Sequence, residues 1–191
     1  VYADSHLVSE ETTPQPVNDP GNVDKQPMAD PDKREPVDPS GVTEKPNVGE
    51  YNKSDIENFD PTTVADFDKD QVGNFDKDAV AGFDREQMEN FDPEAVAGFD
   101  KDQVGNFDKD AVAGLDKDQM KNFDPTAMEG FDKEQVGNFD PNAVAGFDKE
   151  HMENFDPEAM EGFDKDQVGN FDKEAVSGLK RDHITEMDDQ S

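Results

Sequence analysis

The chain has 191 residues, 35% of them charged and 31% hydrophobic, and its formal net charge is −31. Such a surplus of carboxylates excludes nucleic acid, whose phosphates call for clustered Lys and Arg, and it disfavours anionic membrane surfaces by the same sign argument. No apolar run approaches the roughly 20 residues needed to span a bilayer, and with no Cys or Trp the fold cannot rest on disulfides or thiolate metal sites.

The chain opens Val1-Tyr2-Ala3 before Asp4, small residues at the first and third positions that fit the end of a secretory cleavage site. Residues 1–50 hold eight of the thirteen prolines, no Phe and scattered acids. Such a segment buries too little apolar surface to offset its ordering entropy, so it is expected to be a disordered acidic tail or linker. Residues 187–191 are expected to be a disordered end.

From Tyr51 to Glu186 an octapeptide recurs seventeen times without insertion or deletion. Its first position is aromatic in all but two units (Tyr51, Phe59, Phe67, Phe75, Phe83, Phe91, Phe99 and onward), Leu115 and Leu179 being the exceptions, and all fourteen Phe lie in this register. The sixth position is also apolar, with Ile56, Val64, Val72, Val80, Met88, Val96, Val104 and so on to Ile184. A spacing of eight smears an apolar stripe around a continuous helix, and positions one and six have opposite parity for a strand. Each unit must therefore interrupt its own secondary structure.

The interruptions are encoded. Position two is Asp in fifteen successive units, including Asp60, Asp68, Asp76, Asp84, Asp92, Asp100 and Asp108, and Asp is among the best helix N-caps. Five units place Pro at position three, where a first helical turn tolerates it. Gln at position five in alternate units gives an Asp-x-x-Gln pattern that resembles a capping box. Position eight alternates Asn (Asn74, Asn90, Asn106) with Gly (Gly82, Gly98, Gly114), residues expected to end each turn in the left-handed conformation.

The alternation makes a sixteen-residue unit, and a weaker 32-residue similarity links 67–98, 99–130 and 131–162. The expected fold is all-α: a narrow solenoid of one-turn helices over 51–186, with two octapeptides per coil, Phe, Val, Met and Ala inside and acids outside. Eight such coils at about 8–10 Å per layer would extend on the order of 70 Å.

Segments such as Phe91-Asp92-Pro93-Glu94-Ala95-Val96-Ala97-Gly98 and Phe67-Asp68-Lys69-Asp70-Gln71-Val72-Gly73-Asn74 resemble the tandem octapeptide repeats of large surface and secreted proteins of marine bacteria, including cyanobacteria. The resemblance covers 51–186 and implies an extracellular, non-enzymatic scaffold or adhesin-like role. Where such repeats often carry Thr at position two, this chain has Asp, which removes the hydroxyl for sugar attachment.

No catalytic residue is expected. Paired carboxylates such as Asp68 and Asp70, or Asp100 and Asp102, recur in nearly every unit and read as solvated caps. Neither an EF-hand loop nor a Gly-rich nonapeptide calcium signature is present, so no cofactor is expected beyond weak binding of calcium or another divalent cation, and no metal ligands are assigned. His6, His151 and His183 are far apart, the latter two replacing Gln at position five. Asn52-Lys53-Ser54 matches a glycosylation acceptor. The expected partner is a protein or surface of basic character, with end-to-end self-association through the ends of the stack; the alternative function is an acidic cation-binding module.

Overall fold

A computed structural model describes residues 47–188. The greater part of the expected 1–50 tail, residues 1–46, and the end of the chain at 189–191 lie outside the described residues. Within 47–188 the chain is helical throughout, without a strand, and forms a repeat solenoid. The ordered register begins earlier than the sequence reading placed it. Val48, eight residues before Ile56 and in the same sixth position, is buried in a 3₁₀ turn at Val48–Glu50, and at the other end the last helix runs Arg181–Asp188 with Met187 packed on the core.

Units of two kinds alternate. In one kind a short α-helix starts at position three, as at Lys69–Val72, Arg85–Asn90, Lys101–Val104 and Lys117–Asn122. In the other the chain makes a 3₁₀ turn over Ala-Val-Ala-Gly, as at Ala79–Gly82, Ala95–Gly98 and Ala111–Gly114, or over the longer Pro61–Asp66, Pro125–Gly130 and Pro157–Gly162. Position-two Asp sets both. In α units its carboxylate accepts from the amide three residues on and the Gln side chain answers, closing a capping box; in 3₁₀ units it accepts from the amide two residues on, as Asp76 does from Asp78 at 2.8 Å.

The coil takes three octapeptides, where the sequence reading had two. Lys53–Glu57 packs on Ala79–Gly82, and Arg85–Asn90 packs on Pro61–Asp66 behind it and Ala111–Gly114 ahead, each pair three units apart. The sixteen-residue alternation therefore records unit type and not coil length. An odd number of units per coil sets an α turn against a 3₁₀ turn at nearly every joint, whereas a two-unit coil would set like on like. The seventeen units accordingly make about six coils, or roughly 50–60 Å at about 8–10 Å per layer, in place of the eight expected.

Phe59, Phe67, Phe75, Phe83, Phe91 and Phe99 are buried with Val64, Val72, Val80, Met88, Val96 and Val104, in one continuous cluster reaching Ala175. Successive rings touch edge to face, with centroids 5.1 Å apart for Phe83 and Phe91 and 4.8 Å for Phe99 and Phe107. That geometry suits the ring quadrupoles. Rings three units apart also meet, Phe99 with Phe123 at 6.4 Å, so the aromatic column is joined both along the chain and across coils.

Candidate functional site: the joint between coils

The chemistry of this molecule is concentrated where one coil meets the next, and two residues make that joint. The first is the position-five Gln of the α units. Gln87, Gln103, Gln119, Gln135 and Gln167 are buried, each accepting at Oε1 from its own capping Asp amide while Nε2 donates to two carbonyl oxygens of the preceding coil. For Gln135 these are Val104 at 2.9 Å and Phe107 at 2.8 Å; for Gln119, Met88 and Phe91, both at 2.8 Å. Among the described residues every backbone-to-backbone hydrogen bond outside the helices is local, so the hydrogen bonds that join coils run through side chains. The sequence reading had given Gln only its capping role. Its donation to the coil below was the part missed, and the signal for it lay in the substitution of Gln by His, another side chain that offers an acceptor and a donor from separate atoms.

The second residue is the position-eight Gly of the 3₁₀ units. Gly82, Gly98 and Gly114 do not adopt the left-handed conformation expected of them, nor does any other described glycine. A Cβ on Gly98 would stand 2.1 Å from the Lys69 carbonyl oxygen, and one on Gly130 would stand 2.0 Å from that of Lys101 and 2.6 Å from Val104 Cγ2. Glycine is there because the backbones of two coils come together, a close approach that a sequence cannot distinguish from a turn. Asn74, Asn90 and Asn106 cap through their side chains: each Nδ2 donates to the carbonyl four residues back, Asp70, Glu86 and Asp102, at 2.7–2.8 Å. The helix C-caps Asn58, Asn138 and Asn170, at the same position, are right-handed with φ −98°, −98° and −100°.

The capping carboxylates behave as the sequence implied. Asp60, Asp68, Asp76, Asp84, Asp92, Asp100 and Asp108 each accept a backbone amide of their own unit. The Thr62 hydroxyl and amide hold the Asp60 carboxyl below its ordinary range, and the Thr126 pair does the same for Asp124. Burial pushes Asp148 upward but is outweighed by the His151 amide, charge and ring, which leave it lowered.

The two described histidines occupy rungs of the Gln ladder. His151 Nε2 meets the Phe123 carbonyl at 2.9 Å, and its Nδ1 lies 3.2 Å from the Asp148 amide and 2.8 Å from the Asp148 carboxylate. His183 Nε2 meets the Phe155 carbonyl at 3.1 Å while Nδ1 accepts from the Lys180 amide. Here position two is Lys180, and no carboxylate of its own cap faces the ring. Burial holds the His183 imidazole below its ordinary value, Lys180 adding to the effect, while the Phe155 carbonyl, Asp182 and Asp156 oppose it. His6 lies outside the described residues.

Outside the joints the surface is acidic. Lys101 with Glu129 at 2.9 Å and Lys133 with Glu161 at 2.8 Å form exposed ion pairs that cross from coil to coil. An open groove of about 600 Å³ is lined by Glu129, Asp132, Glu134, Asp156, Glu158, Glu161 and Glu186 around Lys133. Among the described residues no three carboxylates or imidazoles converge closely enough to hold a metal ion, and no helix is long and apolar enough to cross a membrane. The Asn52 carboxamide oxygen of the Asn-Lys-Ser triplet is engaged by the Ser54 and Asp55 amides. No family model, curated protein or solved structure matches the chain.

Proposed function

We propose that this chain is a non-enzymatic structural repeat protein of the cell surface or secreted space, acting as a spacer, fibre segment or adhesive surface. The observation that carries the reading is that the same side chains do the same mechanical work in each successive pair of units. Asp caps its own turn, Gln ties and Gly seats one coil on the next, and Phe fills the core, so these recurring residues are engaged in building the stack. Such an array is a sum of unit stabilities and nearest-neighbour joints, and its length scales with the number of units. A highly charged exterior keeps such a body soluble and apart from its neighbours.

The test is graded deletion. Removing residues 83–130, six octapeptides and so two coils with both unit types in phase, is expected to leave a folded chain shorter by about 16–20 Å in small-angle scattering. A spacer or adhesin then loses reach or avidity in proportion, and antibody raised to the repeats labels intact cells that make the protein. Labelling only after permeabilisation, or an all-or-none loss of function on deletion, would count against this reading. The acidic groove at Glu129–Glu186 favours a second reading, a cation-binding module. Calorimetry showing saturable calcium uptake with a fixed stoichiometry per repeat would select it.

A further inference from the structure

We propose that the stack is an extensible tether, which lengthens under tension by releasing sixteen residues each time a Gln side chain is withdrawn from the coil below. This deepens the spacer reading and rests on it for the source of the load.

Few kinds of contact resist the separation of two coils. Helices and turns pack on the units three before and three after them, so a pull on the two ends of the chain loads the joints in series. No strand bridges a joint: among the described residues, backbone-to-backbone hydrogen bonds outside the helices span at most four residues. Such a joint opens by peeling, one contact after another, whereas paired strands pulled along their length must break a row of hydrogen bonds together.

The contacts met during peeling are unequal. Gln87, Gln103, Gln119, Gln135 and Gln167 are buried, and each Nε2 donates to two carbonyl oxygens of the coil below at 2.7–3.1 Å. Withdrawing one leaves two buried acceptors unpaired until water enters, a steep local cost. The 3₁₀ units between them carry Ala79, Ala95, Ala111, Ala127, Ala143 and Ala159 at the same position, with no side chain to tie. Those units are held by apolar burial, whose loss is graded with area, and by exposed ion pairs such as Lys101 with Glu129 and Lys133 with Glu161, which are weak in salt. From Gln87 to Gln135, and on through His151 to Gln167, the rungs stand sixteen residues apart. Resistance to peeling therefore recurs with every second unit and not with every coil of three.

Extension is reversible for the same structural reason. Each unit carries its own cap, and each coil packs only on its neighbours, so released units re-form by near contacts on the coil still standing.

Optical-tweezers stretching of the full chain, held at both ends in series with a β-sandwich reference domain at about 0.15 M salt, tests this. Sixteen residues extend to about 53–58 Å. Folded, they occupy about 5–7 Å, at about 8–10 Å per coil. The expected record is a reversible staircase with steps of about 50 Å in contour length, complete before the reference opens. In Gln135→Ala two of these steps should merge into one of about 100 Å, and Gln135→His, which restores a rung like that of His151, should separate them again. Steps of about 25 Å, one octapeptide, or about 75 Å, one coil, would overturn the proposal. So would a single release of the whole stack, an array that outlasts the reference, or Gln135→Ala steps identical to the parent's. Where the Ala variant does not fold, the step size of the parent chain decides. An array that does not lengthen but still labels at the cell surface would sink the tether and leave a rigid spacer; the expected staircase in a chain that labels only after permeabilisation would sink the spacer reading alone.

Discussion

Replacing Gly130 by Ala is expected to destabilise the repeat region by about 3 kcal/mol or more, the largest effect of any single methyl group in the molecule. The added Cβ falls 2.0 Å from the Lys101 carbonyl oxygen and 2.8 Å from its carbon, both backbone atoms, and 2.6 Å from Val104 Cγ2. Val104 can turn aside, but the backbone of the lower coil is fixed by its own capping box and by the Gln135 amide. The two coils must separate, and separation uncovers Val104 and Phe107 together, an overpacking penalty compounded by lost burial. Gly169 is the internal control. Nothing lies within 4 Å of a Cβ there, and the residue ends the helix Lys165–Gly169, so Gly169→Ala should be neutral or stabilising by up to about 1 kcal/mol. Urea unfolding of the two variants beside the parent chain checks both; equal costs would show that glycine serves the turn and not the joint.

Replacing Gln135 by Ala should cost about 3 kcal/mol, through polar groups left behind and not through lost packing. The substitution strands the Asp132 amide and removes the donor to two buried carbonyls, Val104 and Phe107. Each buried group deprived of its partner costs about 1–3 kcal/mol, less where water can enter. Gln135→His should recover part of this, since His151 reaches one carbonyl from the equivalent rung. The His183 rung adds a pH arm. The lowered pKa of His183 means that the unfolded chain binds more protons than the folded one below the ordinary value of 6.5. Its stabilising contribution is therefore complete above that value and is lost as the pH falls through the lower, folded value. Protonation also sets an Nδ1–H against the Lys180 amide, donor to donor. Amide protection factors over 180–187, corrected for the intrinsic pH dependence of exchange, should fall several-fold between pH 7.5 and 5.5, and His183→Gln, which restores the usual rung, should remove the dependence.

The fold was legible where a single unit determines the outcome. Phe at position one and Val or Met at position six need only one octapeptide to be recognised as core, and Asp at position two needs only the next three residues to be recognised as a cap. What a single unit does not contain is its neighbour across the joint. The three-unit coil was hidden because Gln alternating with Ala, and Asn with Gly, has period two, and the parity of the coil against that period appears only in three dimensions. For the same reason Gly98 and Gly130 read as turn residues although their backbone is ordinary, and Gln135 read as half of a capping box although its other end ties the coil below. Val48 was a readable residue left unread: it stands in register at position six, but the flanking Pro46 and Asn47 masked it as part of the tail.

Zero-length carbodiimide coupling, read by mass spectrometry, tests the three-unit coil directly because the chain supplies its own competition. Lys133 faces Glu161 at 2.8 Å, three units ahead. A two-unit coil would bring the same lysine to Glu153, one octapeptide earlier and chemically identical, which here pairs with Lys149 at 3.4 Å. The structure requires Lys133 to couple to Glu161, and Lys101 to Glu129 in parallel. Dominant coupling of Lys133 to Glu153 would contradict it.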